Sequence, residues 1–190
     1  DKPATREIER AKGQRSETKQ QQPVMIKFIL SFLLLLSSIA PTLAGTNAEG
    51  LAFLEAKEKE EGVVKLESGL LYRELRAGNE DGKTPTINSP CECHYSGTLI
   101  DGTEFDSSYK RGKPLTFAPN QVIKGWTEAM QLMKEGAKWE LFIPSELGYG
   151  DRGAGARIPG GSVLVFTLEL LKVTGDYVKA DMPNAGEGIE

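Results

Sequence analysis

Three stretches of this 190-residue chain alternate their side chains with a period of two, and that alternation restricts the fold to one built on an antiparallel sheet. Cys91, Cys93 and Tyr95 alternate with Glu92, His94 and Ser96; Trp139, Leu141 and Ile143 with Lys138, Glu140 and Phe142; Leu164, Phe166, Leu168 and Leu170 with Val165, Thr167 and Glu169. Each reads as a strand with one buried face. Asp101-Gly102, set between Thr98-Leu99-Ile100 and Glu104-Phe105-Asp106, is a hairpin turn and makes the pairing antiparallel. A buried sheet face needs a cover, and one segment supplies it: Ile123, Trp126, Met130 and Met133 share a helical face that Gly136 closes. The expected fold is α+β, an antiparallel sheet of five to six strands wrapped over a short helix.

Ahead of these strands the chain changes character twice. From Met25, read as the initiator, a basic Lys27 leads into an apolar run from Phe28 to Leu36 interrupted only by Ser31, then into Pro41-Thr42-Leu43-Ala44-Gly45. The run is too short to cross a bilayer core, and small Thr42 and Ala44 occupy the −3 and −1 positions of a signal-peptidase site. Residues 25–44 therefore read as a signal peptide cleaved after Ala44. That makes the protein secreted, without stable membrane association after cleavage. The polar residues 1–24 precede it and are set apart from the fold. Asn47 can cap a charged helix reaching about Glu61, with Ala48, Leu51, Leu54 and Ala56 as a narrow apolar stripe and Gly62 as its stop; residues 45–66 are assigned to this element. It serves as a spacer, a dimer contact or a solvated extension, so the protein is a monomer or a dimer through this helix. The main domain runs over 67–174, and 175–190 read as a loose tail.

Charge and residue counts narrow the chemistry. After residue 44 the chain holds sixteen Lys/Arg against twenty-three Asp/Glu, a net charge of −7, with no basic cluster to follow a nucleic-acid backbone. His94 is the one histidine, on the strand face opposite Tyr95, which argues against a Ser-His-Asp or Cys-His nucleophile. Cys91, Cys93 and His94 do not converge along a strand, so no metal site is expected, and no cofactor. Two cysteines two residues apart on one strand face are poorly placed for a disulfide and read as buried free thiols. The stretch Gly148 to Gly161 lacks the Gly-Lys-Ser/Thr ending of a phosphate loop and reads as a flexible loop bearing side chains. What remains is a scatter of rings and aliphatic groups near strand ends and loops: Tyr95, Phe105, Phe117, Val122, Ile123, Trp126, Tyr149, Ile158 and Phe166. By periodicity alone these are equally core packing or the lining of an apolar pocket.

Four segments resolve the ambiguity by resemblance: Gly102-Thr-Glu-Phe-Asp-Ser-Ser108, Val122-Ile-Lys-Gly-Trp126, Tyr149-Gly150 and Leu164-Val-Phe-Thr-Leu-Glu-Leu-Leu171. Together, over about Ser68 to Val173, the chain resembles the FKBP-type peptidyl-prolyl cis-trans isomerases. With a signal segment and charged helix in front, it is similar to their secreted macrophage-infectivity-potentiator subgroup. The resemblance implies isomerisation of X-Pro bonds in proline-containing peptides and proteins, binding of tacrolimus- and rapamycin-type macrolides, and a role in virulence at a host interface. It further implies a pocket of Tyr95, Phe105, Asp106, Phe117, Val122, Ile123, Trp126, Tyr149, Ile158 and Phe166. Trp126 would be its floor, with Phe105, Asp106, Trp126 and Tyr149 carrying catalysis, and Arg111, counted with the substrate- and macrolide-binding residues, orienting Asp106. Leu115 stands where some members carry Phe, and Ala154 to Arg157 where some carry a His-containing loop, departures that bear on substrate and inhibitor preference.

Overall fold

The computed structural model describes residues 45–178. In chain order the elements are helix α1 (Ala48–Glu58), strands β1 (Val63–Lys65), β2 (Leu71–Arg76), β3 (Thr84–Pro85), β4 (Cys91–Leu99), β5 (Glu104–Ser107) and β6 (Leu115–Phe117), helix α2 (Lys124–Met130), and strands β7 (Lys138–Ile143), β8 (Leu164–Val173) and β9 (Tyr177–Val178). The main sheet runs β1-β2-β7-β8-β4-β5, every pair antiparallel, and β6 joins the edge of β4 beside Cys91–Cys93 while β5 pairs further along at Ser96–Thr98. This is the expected α+β architecture with seven strands in its main sheet. The strands beyond five or six are the three-residue β1 and β6, too short to show a period. β8, ten residues long, lies at the centre between β7 and β4.

One sheet face closes over α2. Trp126, Ala129, Met130 and, in the turn beyond, Met133 are buried against Cys93, Tyr95, Leu141, Ile143, Phe166, Leu168 and Leu170. The helix ends at Met130, six residues short of Gly136, and a hydrogen-bonded turn (Met133 N–H to Ala129 O, 3.1 Å) carries the apolar face onward.

The opposite face departs from the sequence expectation. Phe142, expected to point outward, is fully buried in a second cluster with Leu54, Leu71 and Val163, flanked by Phe53, Val63, Ile100 and Val165. Its cover is α1, whose Phe53 ring meets Phe142 edge-on at 6.0 Å while the Lys57 ammonium lies 5.2 Å from the Phe142 ring centre. The stripe expected on α1 included Leu51, which is 57 % exposed; the residues that pack are Gly50, Phe53 and Leu54. Asn47 caps α1 as expected, its Oδ1 accepting from Gly50 N–H at 2.7 Å. The helix stops at Glu58, not Glu61, because the backbone tightens (Lys59 N–H to Ala56 O) and Gly62 takes the left-handed conformation, φ 77°, which turns Val63–Lys65 into the sheet. Within residues 45–66 the helix takes Ala48–Glu58, three residues short of the expected end near Glu61, and strand β1 follows the Gly62 turn.

The tail is also tied down as far as it is described. Tyr177–Val178 pair with Thr84–Pro85, Ser89 Oγ donates to the Asp176 carbonyl, and Lys83 sits 4.7 Å from the Tyr177 ring centre. The expected signal peptide, the segment before it and residues 179–190 lie outside the described residues. Among the described residues no helix is long and apolar enough to cross a membrane.

Cys91 and Cys93 are free and fully buried on the core face of β4, while His94, on the other face, stacks on Tyr109 at 4.6 Å. Burial pushes the Cys91 thiol up to about 11 and the Cys93 thiol up further still. Since the thiolate is the reactive form, neither cysteine is expected to react with a soluble thiol reagent at neutral pH unless the domain unfolds. Complete labelling at the rate of a free thiol in native protein would show this packing to be wrong.

Candidate functional site

A cavity of about 830 Å³ opens where the sheet meets the start of α2, within the size range of small-ligand sites. Its lining comes from separate pieces of chain. β4 gives Tyr95; β5 gives Phe105 and Asp106; the end of β6 gives Phe117; the segment entering α2 gives Val122 and Ile123; α2 gives Trp126; the β7–β8 loop gives Tyr149 and Ile158; and β8 gives Phe166. All ten residues expected in the pocket therefore line one hollow, although Tyr95, Phe105, Trp126, Ile158 and Phe166 also count among the buried core. Pocket and core form one continuous structure: the cavity is the uncovered end of the hydrophobic interior.

The rings lock one another at angles. Trp126 is met nearly perpendicularly by Tyr95 and Phe166, each at 5.0 Å, and at a tilt by Phe117 at 5.3 Å; Phe105 meets Phe166 edge-on at 5.4 Å. Edge-to-face contacts fix ring planes and leave little freedom to fill the void. Trp126 is 4 % exposed, and its indole N–H is buried without a hydrogen-bond partner among the described residues.

Gly97, on β4 opposite Asp106 and Phe166, makes this crowding possible. A β-carbon there would sit 2.7 Å from the Phe105 ring and closer still to Phe166, so any side chain would drive both rings out of place. Sequence reasoning passed over it because a glycine inside a strand carries no chemistry. It also passed over Gln121, which lines the cavity and whose Oε1 accepts from Ala118 N–H at 2.9 Å, bracing the turn that delivers Val122 and Ile123. Leu115 and Ala154–Arg157, read as departures from the family pattern, complete the lining; Arg157 reaches across to donate to the Phe105 carbonyl at 3.1 Å.

Polar groups sit at the mouth. Asp106 accepts from the Tyr95 hydroxyl (Oδ2, 2.6 Å), from Arg111 and from Ser107 N–H (2.9 Å). Arg111 lies off the cavity wall, in the turn after β5, and also donates to the Tyr95 oxygen at 2.7 Å, closing a three-membered network. Burial alone would raise the Asp106 carboxyl; the Tyr95 and Arg111 hydrogen bonds and the guanidinium charge outweigh it and hold the group below the ordinary carboxylate range. Tyr95 is pushed up, first by burial and then by its bond to Asp106, so its proton stays on oxygen. The result is a fixed, ionised carboxylate beside an apolar hollow. Tyr149, also part of the lining, is 40 % exposed, and its hydroxyl bonds to no other described residue.

The sequence matches the family described as FKBP-type peptidyl-prolyl cis-trans isomerase over residues 82–171, a span containing every residue of the cavity wall. The chain belongs to this family. A second match, to the domain amino terminal to FKBP-type peptidyl-prolyl isomerase, covers residues 8–73. Among curated relatives, the macrophage infectivity potentiator of Trypanosoma cruzi is 52 % identical over 124 residues (65 % of this chain, 63 % of that protein). The FKBP-type 22 kDa peptidyl-prolyl cis-trans isomerase of Escherichia coli is 53 % identical over 126 residues (66 % and 60 %). The chain thus spans less than two thirds of these relatives' length. Among solved structures, a peptidyl-prolyl cis-trans isomerase from Pseudomonas syringae pv. tomato superposes with a TM-score of 0.62 at 40 % identity, covering 67 % of this chain and 92 % of that one. In this FKBP-type domain the strand that begins the cavity, β4, and the strand that completes it, β8, are direct neighbours, so Tyr95 and Phe166 converge despite their separation in sequence.

Proposed function

We propose that this protein accelerates cis-trans isomerisation of X-Pro bonds in peptides and proteins by binding the twisted amide more tightly than either planar form. The supporting observation is a single hollow that combines an aromatic floor and walls with an ionised, immobilised carboxylate and a free phenol at its mouth. The uncatalysed step is slow because amide resonance sets a barrier of about 18 to 20 kcal/mol. No covalent bond breaks, so nucleophile and leaving group are not needed; what matters is selective binding of the half-rotated state.

The side chains divide that task. Resonance places negative charge on the carbonyl oxygen and positive charge on nitrogen, and an apolar enclosure penalises this separation, favouring twist. Trp126 forms the floor under the prolyl ring, with Tyr95, Phe105, Ile158 and Phe166 as walls. Tyr149 donates a hydrogen bond from its hydroxyl to a substrate carbonyl next to the rotating bond. Asp106, unable to swing because Tyr95 and Arg111 grip it, presents its charge toward that bond without reorganising during the reaction. The same floor and donors suit the prolyl-like ring of a tacrolimus-type macrolide. Secretion through residues 25–44 belongs to the proposal as well, and a mature N-terminus at Gly45 in secreted material is its direct test.

A protease-coupled assay on X-Pro peptides tests the central claim: turnover suppressed by a macrolide supports it, and no acceleration over the spontaneous rate refutes it. Asp106→Val and Tyr149→Phe are each expected to lower turnover with the fold intact. The pH dependence follows from the carboxylate. Because Asp106 is held below the ordinary carboxylate range, activity should stay level from neutral pH down through about pH 5, and fall only as the carboxyl finally protonates. In Arg111→Ala the carboxyl loses a partner that favours its charged form, so the acid limb moves to higher pH. An unmoved acid limb in that variant would mean that Arg111 does not hold the Asp106 charge in place.

A further inference from the structure

The three residues that precede α1 are pinned to both ends of the loop that carries Tyr149. Glu146 takes Thr46 in both hands, its Oε1 accepting from Thr46 N–H at 2.8 Å and its Oε2 from the Thr46 hydroxyl at 2.7 Å. The same hydroxyl accepts from Ser145 N–H at 2.9 Å. On the far side of Tyr149, Gly45 N–H donates to Asp151 Oδ1 at 2.5 Å. Asn47 N–H donates to Gly161 O at 2.9 Å, and Gly161 N–H in turn to Gly150 O at 2.9 Å. Thr46 is 7 % exposed and Ser145 1 %, so the contact is a buried seam, while Tyr149 itself is 40 % exposed and anchored by no hydrogen bond of its hydroxyl within the described residues.

From this geometry we infer that Gly45–Asn47 form a clasp that sets the position of Tyr149, and that Thr46 is a positioning residue for the isomerase pocket. The inference rests on the proposed role of Tyr149 as donor to the substrate carbonyl. The sequence between Glu146 and Asp151 holds Gly148 and Gly150 on either side of Tyr149, so the ring's place depends on what fixes the flanks. The clasp fixes both. It is also long-range: Thr46 and Glu146 lie 100 residues apart, so the beginning of the described chain sets the mouth of a cavity that its own side chains do not line.

Two measurements decide the matter, with Thr46→Val as the main variant and Thr46→Ser as the conservative one. The first is amide hydrogen exchange across residues 147–161. Thr46→Val should speed exchange there at least about tenfold while the β4 and β8 amides keep their protection, and Thr46→Ser should stay near the original protein. The second is a cycle of Thr46→Val with Tyr149→Phe in the isomerase assay. Thr46→Val alone should reduce kcat about five- to tenfold with little change in KM, and in the Tyr149→Phe background it should have almost no further effect. If loop exchange is unchanged in Thr46→Val, or the two substitutions multiply their effects, the clasp is overturned. If exchange accelerates as expected but the original protein shows no isomerase activity, the clasp stands and the functional reading fails instead. Should Thr46→Val fail to fold, Glu146→Gln, which keeps the shape and removes the charge that holds Thr46, carries the same two tests.

Discussion

Replacing Phe105 by alanine is expected to lower kcat/KM on an X-Pro peptide by about one to two decades. The ring is 9 % exposed and stands edge-on to Phe166, on the strand position next to Asp106. An aromatic side chain of this kind contributes about 2 to 3 kcal/mol of apolar contact to whatever it covers. Only the part realised in the twisted state accelerates the reaction, and each 1.4 kcal/mol of that part is about tenfold in rate. Removing the ring also opens the wall to water, which, in the proposed mechanism, restores the solvation of the planar amide. Because Phe105 supports the core as well, the measurement needs a thermal midpoint on the same sample and Phe105→Leu alongside, which keeps most of the volume and loses the flat face. A fall of less than twofold in folded Phe105→Ala would take this wall out of the mechanism.

The second large effect is on stability alone. Phe142→Ala is expected to reduce the unfolding free energy by about 3 to 5 kcal/mol, the range for deleting a fully buried phenylalanine. Against a total of about 5 to 15 kcal/mol for a domain, that brings the protein close to unfolding. Since Phe142 faces away from the cavity, kcat/KM per folded molecule should be unchanged. Phe53→Ala, which removes the half-buried partner on α1, should cost markedly less. A shift of the urea midpoint at constant slope is the readout; a loss below about 1 kcal/mol for Phe142→Ala would mean that α1 does not cover this face.

These two residues mark where the sequence was readable and where it was not. Phe105 stands in a strand beside a hairpin turn, and the surrounding Gly-Thr-Glu-Phe-Asp-Ser-Ser pattern resembles a known family, so both its strand and its place at the cavity were expected. Local pattern also located β4, β7 and β8, the Asn47 cap and the apolar face of α2. Phe142 was misplaced because strict alternation assigns it to the face opposite Trp139 and Leu141, and alternation does not tell whether that face meets water or another element. The answer depends on α1, nearly 90 residues earlier, whose packing face is only Gly50, Phe53 and Leu54, hidden among lysines and glutamates. Strands β1, β3, β6 and β9 are two or three residues long and carry no period to find. The Tyr95–Asp106–Arg111 network was half visible, since Arg111 was tied to Asp106 by family resemblance, whereas the tyrosine hydroxyl between them follows only from the register that sets β4 against β5.

The placement of β8 also governs when this molecule becomes a folded object. Its ten residues form the middle of the sheet, yet they are almost the last of the described chain to leave the ribosome. Until they emerge, β4 and β7 each lack the partner that would join them, and the hairpins made earlier have no shared centre to assemble on. Closing such distant segments is slow compared with local pairing. The cavity, whose walls on β4 and β8 meet only through that pairing, therefore depends on a strand that joins the sheet across a long stretch of sequence.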